Sequence, residues 1–204
     1  MTAPARPDAG RGDGTDVLAE LADDLDRGFA ALYGQHRQVL FSTALRVCGR
    51  WADAEDLTAE AFLRAYRALR GYQRDRVMAL RPRPWLLTIL LNTWRNSQRT
   101  RARRPIEAPL DEGAGALDDA EGAEQLAERR ETRRELAALL LELPEQQRVA
   151  VVLRHVSGLS LAEISAVLGA GEGTVKSHIS RGLSKLRALR AASEIRAAAG
   201  GGTR

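Results

Sequence analysis

The residues best suited to chemistry lie near the end of the chain, where short polar and basic side chains alternate with a regular apolar series. Val175, Ile179, Leu183 and Leu186 recur at spacings of four, four and three, which is the pattern of one apolar helix face. On the opposite face, Ser and Thr suit phosphate contacts, and Arg suits the base edges of a DNA groove. The residues predicted to contact DNA from this helix are Thr174, Lys176, Ser177, His178, Ser180, Arg181 and Lys185.

The charge of this helix bears on a simpler alternative, in which it is the solvated outer face of an ordinary three-helix bundle. Exposed helix faces commonly mix acids with bases, whereas residues 173–190 contain no acid. We therefore favour DNA binding for this face. Neither His155 nor His178 lies in a setting that suggests catalysis.

The sequence also predicts the elements that precede this helix. Ser160 and Glu163 form the S-x-x-E pattern of a capping box ahead of an apolar stripe. Gly169 and Gly171 predict a tight turn before a new helix near Gly173 and Thr174. Helices over about 145–156, 160–168 and 173–190 then make a helix-turn-helix.

A second candidate site lies earlier in the chain, where two tryptophans precede an arginine cluster. Aromatic rings interleaved with arginine suit single-stranded DNA, through base stacking and backbone charge. We favour a core position for Trp85, while Trp94 fits either the core or the DNA.

Acidic residues form a third candidate site, because four of the five acids in the basic stretch 27–104 lie on one helical segment. We expect Asp53 to cap that helix, with Asp56 three residues later. Asp53 and Asp56 complement the positive helix N-terminus. Glu60 is left free for a cationic partner surface.

Charge is divided unevenly along the 204 residues, although the net charge is only +4. Residues 27–104 carry sixteen Arg against five acids, and residues 146–190 carry seven Lys or Arg against two. The intervening 105–145 carry four Arg against twelve acids. Two basic blocks around an acidic one favour two polyanion-binding modules on a linker, although two solvated helical domains with a solubilising spacer have the same charge pattern.

Composition excludes several classes of protein. One cysteine excludes an internal disulfide, and no cluster of His and Cys suggests a metal site, so we predict no metal and no cofactor. The N-terminus lacks the apolar core of a signal peptide, and the longest apolar stretch is too short to span a bilayer. We therefore expect a cytoplasmic protein that is not an enzyme.

The helix-forming composition and the absence of β-strand patterns predict an all-α fold of two small helical domains joined by a flexible acidic linker. Helical spacing runs from about Leu18 to Leu69, with Gly49 ending a helix. We expect a loop over 72–84 and a helix opening at Trp85. The two domains should tumble semi-independently. The predicted boundaries are a disordered 1–16, a first domain 17–104, the linker 105–124, a second domain 125–190 and a tail 191–204.

Four motifs in the second domain resemble region 4 of bacterial sigma factors. They are LPEQQR at 143–148, LR at 153–154, LAEI at 161–164 and GTVKSH at 173–178. The resemblance implies a domain that reads the promoter −35 element and touches the flap of RNA polymerase. Response-regulator-type activators carry a similar helix-turn-helix, so the first domain must decide between them.

The first domain resembles sigma region 2 through FAALY at 29–33, DAEDLT at 53–58, EAFLRAY at 60–66 and PWLLTI at 84–89, followed by Asn92 and the arginines. The family is the short, extracytoplasmic-function (ECF) type of the sigma-70 family, with regions 2 and 4 only. The resemblance implies that the helix over 53–70 docks on the β′ clamp helices of RNA polymerase core. It further implies that the 85–104 helix and the preceding loop melt and capture the −10 element.

The residues that this resemblance assigns fall into two sets. Those expected to bind polymerase core are Asp53, Glu55, Asp56, Glu60, Phe62 and Leu63. Those expected to contact −10 DNA are Trp85, Asn92, Trp94, Arg95, Asn96, Arg99, Arg101, Arg103 and Arg104.

Three functions remain to be compared. The leading hypothesis is a promoter-specificity subunit that binds polymerase core and promoter DNA, with an anti-sigma protein as a further partner common in the family. The alternative is a stand-alone helix-turn-helix regulator, which would need a sensing pocket or a βα receiver pattern that residues 27–104 lack. A DNA resolvase is a distant third, because no Ser or Asp lies in a catalytic setting. Copurification with polymerase core separates all three.

Overall fold

The computed structural model describes residues 12–101 and 135–200. Within these two stretches the chain is helical nearly throughout and forms no β-strand, which confirms the all-α prediction. The predicted linker 105–124 lies outside the described residues, as do residues 1–11 and 201–204.

The first stretch folds into five helices. Asp24 caps the second of them by accepting hydrogen bonds from the backbone N–H groups of Asp26 and Arg27. Gly49 ends it in the left-handed region at φ 80°, as expected for a glycine after a helix. The helices are α1 (Gly12–Asp23), α2 (Leu25–Cys48), α3 (Trp51–Leu69), α4 (Arg74–Met78) and α5 (Pro82–Arg101).

The second stretch contains four more helices, α6 (135–141), α7 (Glu145–His155), α8 (Leu161–Leu168) and α9 (Glu172–Gly200). The three predicted helices of the helix-turn-helix are therefore confirmed, and each begins within one residue of its predicted start. Helix α9 continues ten residues beyond the predicted end at residue 190, into the predicted tail.

Each set of helices has its own apolar interior. In the first, α3 packs between α2 and α5, and α1 lies across α2 and α4. Its fully buried side chains include Leu32, Leu40 and Leu86. In the second, α9 packs on α7 and α8 around Val152, Leu153, Ile164 and Val175.

The structure differs from the sequence-based expectations at two places in the first part of the chain. Residues 12–16, expected to be disordered, begin α1, because Val17, Leu18 and Leu21 of this helix are buried against its neighbours. The predicted loop 72–84 contains all of α4, and α5 begins at Pro82 rather than Trp85. Proline is tolerated in the first helical turn, where its missing N–H has no intrahelical partner.

Asp53 is not the cap that the sequence predicts. Helix α3 begins two residues earlier, with Arg50 at the N-cap and no side-chain hydrogen bond to the capped backbone. Asp53 lies in the first turn and pairs with Arg50 at 3.8 Å, where its charge still complements the helix N-terminus.

The two domains pack against each other in the structure, with α2 contacting α7 and α5 contacting α8. This arrangement differs from the expectation of two domains that tumble semi-independently. No helix of the described stretches is long and apolar enough to cross a membrane.

Candidate nucleic-acid interface

The helix-turn-helix is positioned by the capping box that the sequence predicts. The Ser160 hydroxyl accepts a hydrogen bond from the Glu163 backbone N–H at 3.2 Å, and the Glu163 carboxylate accepts from the Ser160 backbone N–H at 2.8 Å. Gly169 ends α8 in the left-handed region at φ 64°. A single turn through Gly171 then leads into α9, which starts one residue before Gly173. The first turn of α9 therefore follows the capped helix α8 after a short turn and lies at the surface.

Helix α9 separates its apolar and polar faces as predicted. Val175 and Ile179 are buried, while Leu183 and Leu186 are half-buried against the core. His178 is half-buried, and its Nδ1 has no hydrogen-bond partner in the described part of the chain. The other predicted residues of the DNA-contacting face are exposed, namely Thr174, Lys176, Ser177, Ser180, Arg181 and Lys185.

A shallow groove of about 320 Å³ runs along the edge of this face. Its lining is mostly apolar but includes Lys176 and Arg187 of α9 and Arg154 of α7, so α7 adds positive charge beside the face. Arg154 is also tied in place by a hydrogen bond to the Leu159 carbonyl at 2.8 Å. The groove is lined by Arg154, His155, Leu161, Lys176, Ile179, Ser180, Leu183 and Arg187.

The two predicted DNA-contacting tryptophans of the first domain differ in their burial. Trp94 is only 2% exposed, and its Nε1 has no hydrogen-bond partner among the described residues. Its ring is therefore part of the core and is not available to stack on bases in this conformation, which corrects its place among the DNA-contacting residues. Trp85 is half-buried and lies against Tyr72, with ring centroids 6.1 Å apart.

The polar residues predicted on α5 largely face solvent. Asn92, Asn96 and Arg99 are exposed, and Arg95 is half-buried. Arg101 is the last residue of α5, and its side chain is not described, while Arg103 and Arg104 lie outside the described residues. The exposed residues of α5 thus form a polar and basic face, which follows the segment 72–84 along the chain.

That segment contains functional candidates that the sequence analysis missed. The Arg76 guanidinium lies 3.8 Å from the centre of the Tyr72 ring, and Tyr72 in turn contacts Trp85. Arg74 forms an ion pair with Asp23 at the end of α1, which anchors α4. The sequence signal for this contact was a Tyr and an Arg four residues apart in a basic segment, which is a helical spacing. It was overlooked because the segment was interpreted as a loop.

The acidic face of α3 is divided between surface and core. Glu55 and Asp56 are exposed, and the Leu63 side chain is 43% exposed. Glu60 is half-exposed, and its carboxylate forms an ion pair with Arg64 at 2.6 Å. The remaining two predicted residues are buried, Asp53 at 8% and Phe62 at 3% exposure. Their burial corrects their assignment as direct partner contacts. Phe62 instead packs against Phe29 and Tyr33.

The surroundings shift the pKa of two ionisable groups, His36 on α2 and Glu163 on α8. Burial, together with the nearby positive charge of Arg83, lowers the pKa of His36 to about 4. Burial opposes ionisation of Glu163, but hydrogen bonds from Ser160 and the charges of Arg81 and Arg83 bring its pKa below the ordinary value. His36 is therefore neutral and Glu163 ionised near neutral pH.

Models of two protein families match this chain, in the order of its two domains. Residues 32–104 match Sigma-70 region 2, and residues 133–186 match Sigma-70, region 4.

Two bacterial sigma factors are similar in sequence to much of this chain. The chain is 38% identical over 157 residues to the ECF RNA polymerase sigma factor SigE of Mycolicibacterium smegmatis, covering 76% of this chain and 59% of that protein. It is 37% identical over 136 residues to the ECF RNA polymerase sigma-E factor of Escherichia coli K12, covering 63% and 69% respectively.

Solved structures share the fold. CnrH, determined in complex with the cytosolic domain of CnrY, aligns with a TM-score of 0.63 at 29% identity, over 88% of this chain and 98% of CnrH. The sigma factor RpoE of Bartonella quintana, in complex with the anti-sigma factor NepR, aligns with a TM-score of 0.60 at 24% identity, over 82% and 96% respectively.

Proposed function

The chain belongs to the sigma-70 family, as one of its extracytoplasmic-function members with regions 2 and 4, and we propose that it binds RNA polymerase core and directs promoter-specific initiation of transcription. The observation that carries this proposal is the match of both domains, in order, to the two sigma regions. A stand-alone regulator is not favoured, because a sigma region fills the half of the chain where a sensing domain would lie.

Within this function, we assign −35 recognition to the exposed face of α9. Arg181 lies one helical turn after Ser177 and opposite Val175 and Ile179, where its planar guanidinium can bond a base edge with two hydrogen bonds. Lys176 lies at the margin, beside the groove, where a flexible point charge suits a phosphate. The remaining exposed Ser and Thr side chains position the helix on the backbone.

We assign capture of the −10 strand to the exposed part of α5 and to the segment before it. Asn92, Asn96 and Arg99 are exposed there, and Tyr72 with Arg76 forms a stacked aromatic and cationic surface close by. Rings and guanidinium groups stack on unpaired bases, and basic side chains follow the backbone. Trp94 has no place in this assignment because it is buried.

We assign polymerase core binding to the exposed face of α3. Asp56, Glu60 and Leu63 combine negative charge with an exposed apolar side chain, on a domain that is otherwise basic. A cationic partner surface with an apolar patch fits this combination. Glu55 lies beside this face, whereas Asp53 and Phe62 support it from inside.

Two further parts of the proposal concern regulation and chemistry. An anti-sigma protein is proposed as a partner, because the related CnrH was determined in complex with a domain of another protein. The chain is proposed to act in the cytoplasm and to catalyse no reaction of its own. The described residues contain no group of three or more His, Cys, Asp or Glu arranged to hold a metal ion.

The test is reconstitution with purified polymerase core. The chain should copurify with core, and core alone should fail to initiate at a promoter that the reconstituted complex uses. A stand-alone regulator would bind DNA without core and would not copurify with it. Copurification with core therefore supports the sigma-factor function, and its absence supports the stand-alone regulator.

A further inference from the structure

Helix α1 precedes the residues that match Sigma-70 region 2, which begin at residue 32, yet it packs tightly on the first domain. Val17, Leu18 and Leu21 of this helix are buried. Where α1 meets α2, a Cβ atom at Gly28 would lie 2.5 Å from Leu21 Cα, so the two backbones are in direct contact and only glycine fits. The packing on α2 therefore fixes the position of α1.

The turn between α1 and α2 is held in place by two acids. Asp24 caps α2, and Asp26 in the first turn of α2 accepts a hydrogen bond from the Tyr66 hydroxyl of α3 at 2.5 Å. Asp23, the last residue of α1, lies next to this turn, and its side chain contacts a different helix, α4. The backbone that carries Asp23 is thus held on one side by α1 and on the other by the capped start of α2.

Helix α4, in contrast, has little support of its own. It has five residues, of which Val77 alone is buried, and its N-cap residue Gln73 makes no side-chain hydrogen bond to it. Helices this short are unstable in isolation, so the position of α4 depends on its neighbours. Among the described helices, α1 makes the most extensive contact with α4. A helix outside the region 2 match therefore supports a segment within it.

An ion pair joins the two helices next to the aromatic and cationic stack. The guanidinium of Arg74, the first residue of α4, donates a hydrogen bond to the Asp23 carboxylate. Arg76 follows two residues later, with its guanidinium 3.8 Å from the centre of the Tyr72 ring, and Tyr72 contacts Trp85. The ion pair therefore holds the start of α4 within two residues of each member of the Tyr72 and Arg76 stack.

We propose that α1 is a positioning element for −10 recognition and that Asp23, acting through Arg74, holds the stacked surface of Tyr72 and Arg76 in place. The inference rests on the proposed function, which assigns that surface to the −10 strand. A carboxylate next to a strand-binding surface repels phosphates, so Asp23 promotes recognition only by placing other groups. Both side chains of the ion pair are largely exposed, and such a pair shifts an equilibrium by about two- to five-fold.

The first measurement is hydrogen exchange of the free full-length protein. The backbone N–H groups of Val77 and Ala79 donate to the Gln73 and Asp75 carbonyls, so their exchange reports on opening of α4. Asp23→Asn should speed this exchange about two- to five-fold and leave α3 and α9 unchanged. Asp23→Glu keeps the charge and should restore slow exchange. Unchanged exchange in the Asn variant would overturn the proposal without involving polymerase or DNA.

The second measurement uses the same variants reconstituted with polymerase core. The probes are single strands that carry the −10 element of a promoter used by the unmodified complex, together with its single-base variants. Asp23→Asn should lower the ratio of affinities for the preferred and altered strands by about two- to five-fold. The loss of a negative charge alone strengthens binding to all strands similarly and leaves this ratio unchanged. Affinity for core, and for a duplex with the −35 element alone, should not change. An unchanged ratio for the −10 strands would overturn the proposal.

The controls separate this role from a general effect of charge and from failure of the proposed function. Asp16→Asn removes the same charge from an exposed position of α1 and should leave the exchange and the ratio unchanged. An equal effect of both Asn variants would mean that the charge of α1, and not the ion pair, is responsible, and would overturn the role of Asp23. If the unmodified protein binds core and promoter strand but Asp23→Asn keeps the ratio, only the positioning role is wrong. If the unmodified protein binds neither, the proposed function is wrong and this role falls with it.

Discussion

The two DNA-facing surfaces of this protein differ in how they are built. On the second domain, one helix, α9, carries every predicted contact, and none of those side chains is fully buried. On the first domain, the surface combines α5 with the segment before it, and one of the two predicted aromatic residues lies in the core. A face on a single amphipathic helix can be read from spacing alone, since apolar and polar positions separate every turn.

A surface built from several elements is harder to recognise in a sequence than a surface on one helix. Trp94 is close in sequence to the basic residues of α5 but points into the core, while Tyr72 and Arg76, from a different helix and a turn, stack on the outside. An aromatic residue near arginines is a poor guide on its own, because large rings are also the best material for a core.

Replacement of Trp94 should damage the fold of the first domain rather than its DNA contacts. Trp94→Ala leaves a large cavity among buried leucines, and we expect the free energy of unfolding to fall by about 3–5 kcal/mol. Chemical denaturation of the full chain, followed by circular dichroism, measures the loss. The indole Nε1 makes no hydrogen bond among the described residues, so Trp94→Phe should cost much less.

The Phe variant provides the functional arm of the same experiment. At a temperature where Trp94→Phe is folded, its complex with core should open promoter DNA as the unmodified protein does. The opposite outcome is a Trp94→Phe protein that is as stable as the unmodified chain but no longer binds the DNA strand. That outcome would mean that Trp94 leaves the core to contact DNA. The assignment of Trp94 to the core would then apply only to the free protein.

Charge reversal on α3 should cause the next largest effect. Asp56→Arg with Glu60→Arg places two cations against the cationic surface that we expect on the partner, and binding to polymerase core should weaken by about 100-fold or more. Pull-down with purified core measures the change, and circular dichroism checks that helicity is retained. A matched control is Asp16→Arg with Glu20→Arg, which reverses two acids four residues apart on α1.

The control has the same change in net charge but lies outside the residues that match the sigma regions. If both double variants weaken core binding equally, the effect is one of net charge and the α3 face has no special role. Unchanged binding by the α3 variant removes the assignment altogether.

Much of this molecule could be predicted from its sequence where the signal is local. The capping box of Ser160 and Glu163, the glycines at 49 and 169 and the two faces of α9 all depend on residues within a few positions of each other. The helical spacing from Leu18 onwards was recognised, but the start of α1 was missed because residues 12–16 have the composition of a disordered tail. These residues begin the helix because Val17, Leu18 and Leu21 are buried against other helices, and such distant packing is not visible in a local pattern.

The contact between the two domains could not be predicted from the sequence. Across this contact the hydroxyls of Thr43 and Ser157 form a hydrogen bond, and Arg81 forms an ion pair with Glu163. These are unremarkable residue types, and their contacts arise only when chain segments more than 80 residues apart meet. The charge pattern predicted two separate modules and suggested independent motion. Charge alone does not report on small, uncharged contacts such as a hydroxyl pair or a leucine over a glycine.

Acidification should destabilise the protein through His36, with a smaller effect. The pKa of His36 is about 4 in the folded state against an ordinary value near 6.5, so the unfolded chain binds the proton more readily between these values. Stability contributed by the neutral imidazole is therefore complete above about pH 6.5 and is lost as the pH falls towards 4, by at most about 3 kcal/mol. Thermal unfolding of the full chain from pH 7 to pH 4.5 measures the slope.

A His36→Gln variant identifies the group responsible. It cannot titrate, so its stability should change less than that of the unmodified protein over the same pH range, whatever its stability at pH 7. Glu163, whose pKa is lowered, loses its contribution only below its ordinary pKa near 4.5, and it does not account for a loss between pH 6.5 and 5. Parallel slopes for the two proteins would show that His36 is not the source.

The smallest expected changes in DNA affinity distinguish the roles of Arg181 and Lys176 on α9. Arg181→Ala should cost about 1–3 kcal/mol at the preferred promoter and relax the preference at one base position, because a guanidinium bonded to a base edge carries sequence information. Lys176→Ala should weaken binding to all sequences similarly and flatten the salt dependence by about one unit of log–log slope, as expected for one phosphate contact. Both side chains are exposed, so neither change should alter the fold. Affinities of the reconstituted complex for single-base variants of the promoter, at two salt concentrations, distinguish the two roles. If Arg181→Ala weakens every variant equally and changes the salt slope, Arg181 contacts phosphate, and a single-helix face would then predict which residues touch DNA without predicting which of them reads the sequence.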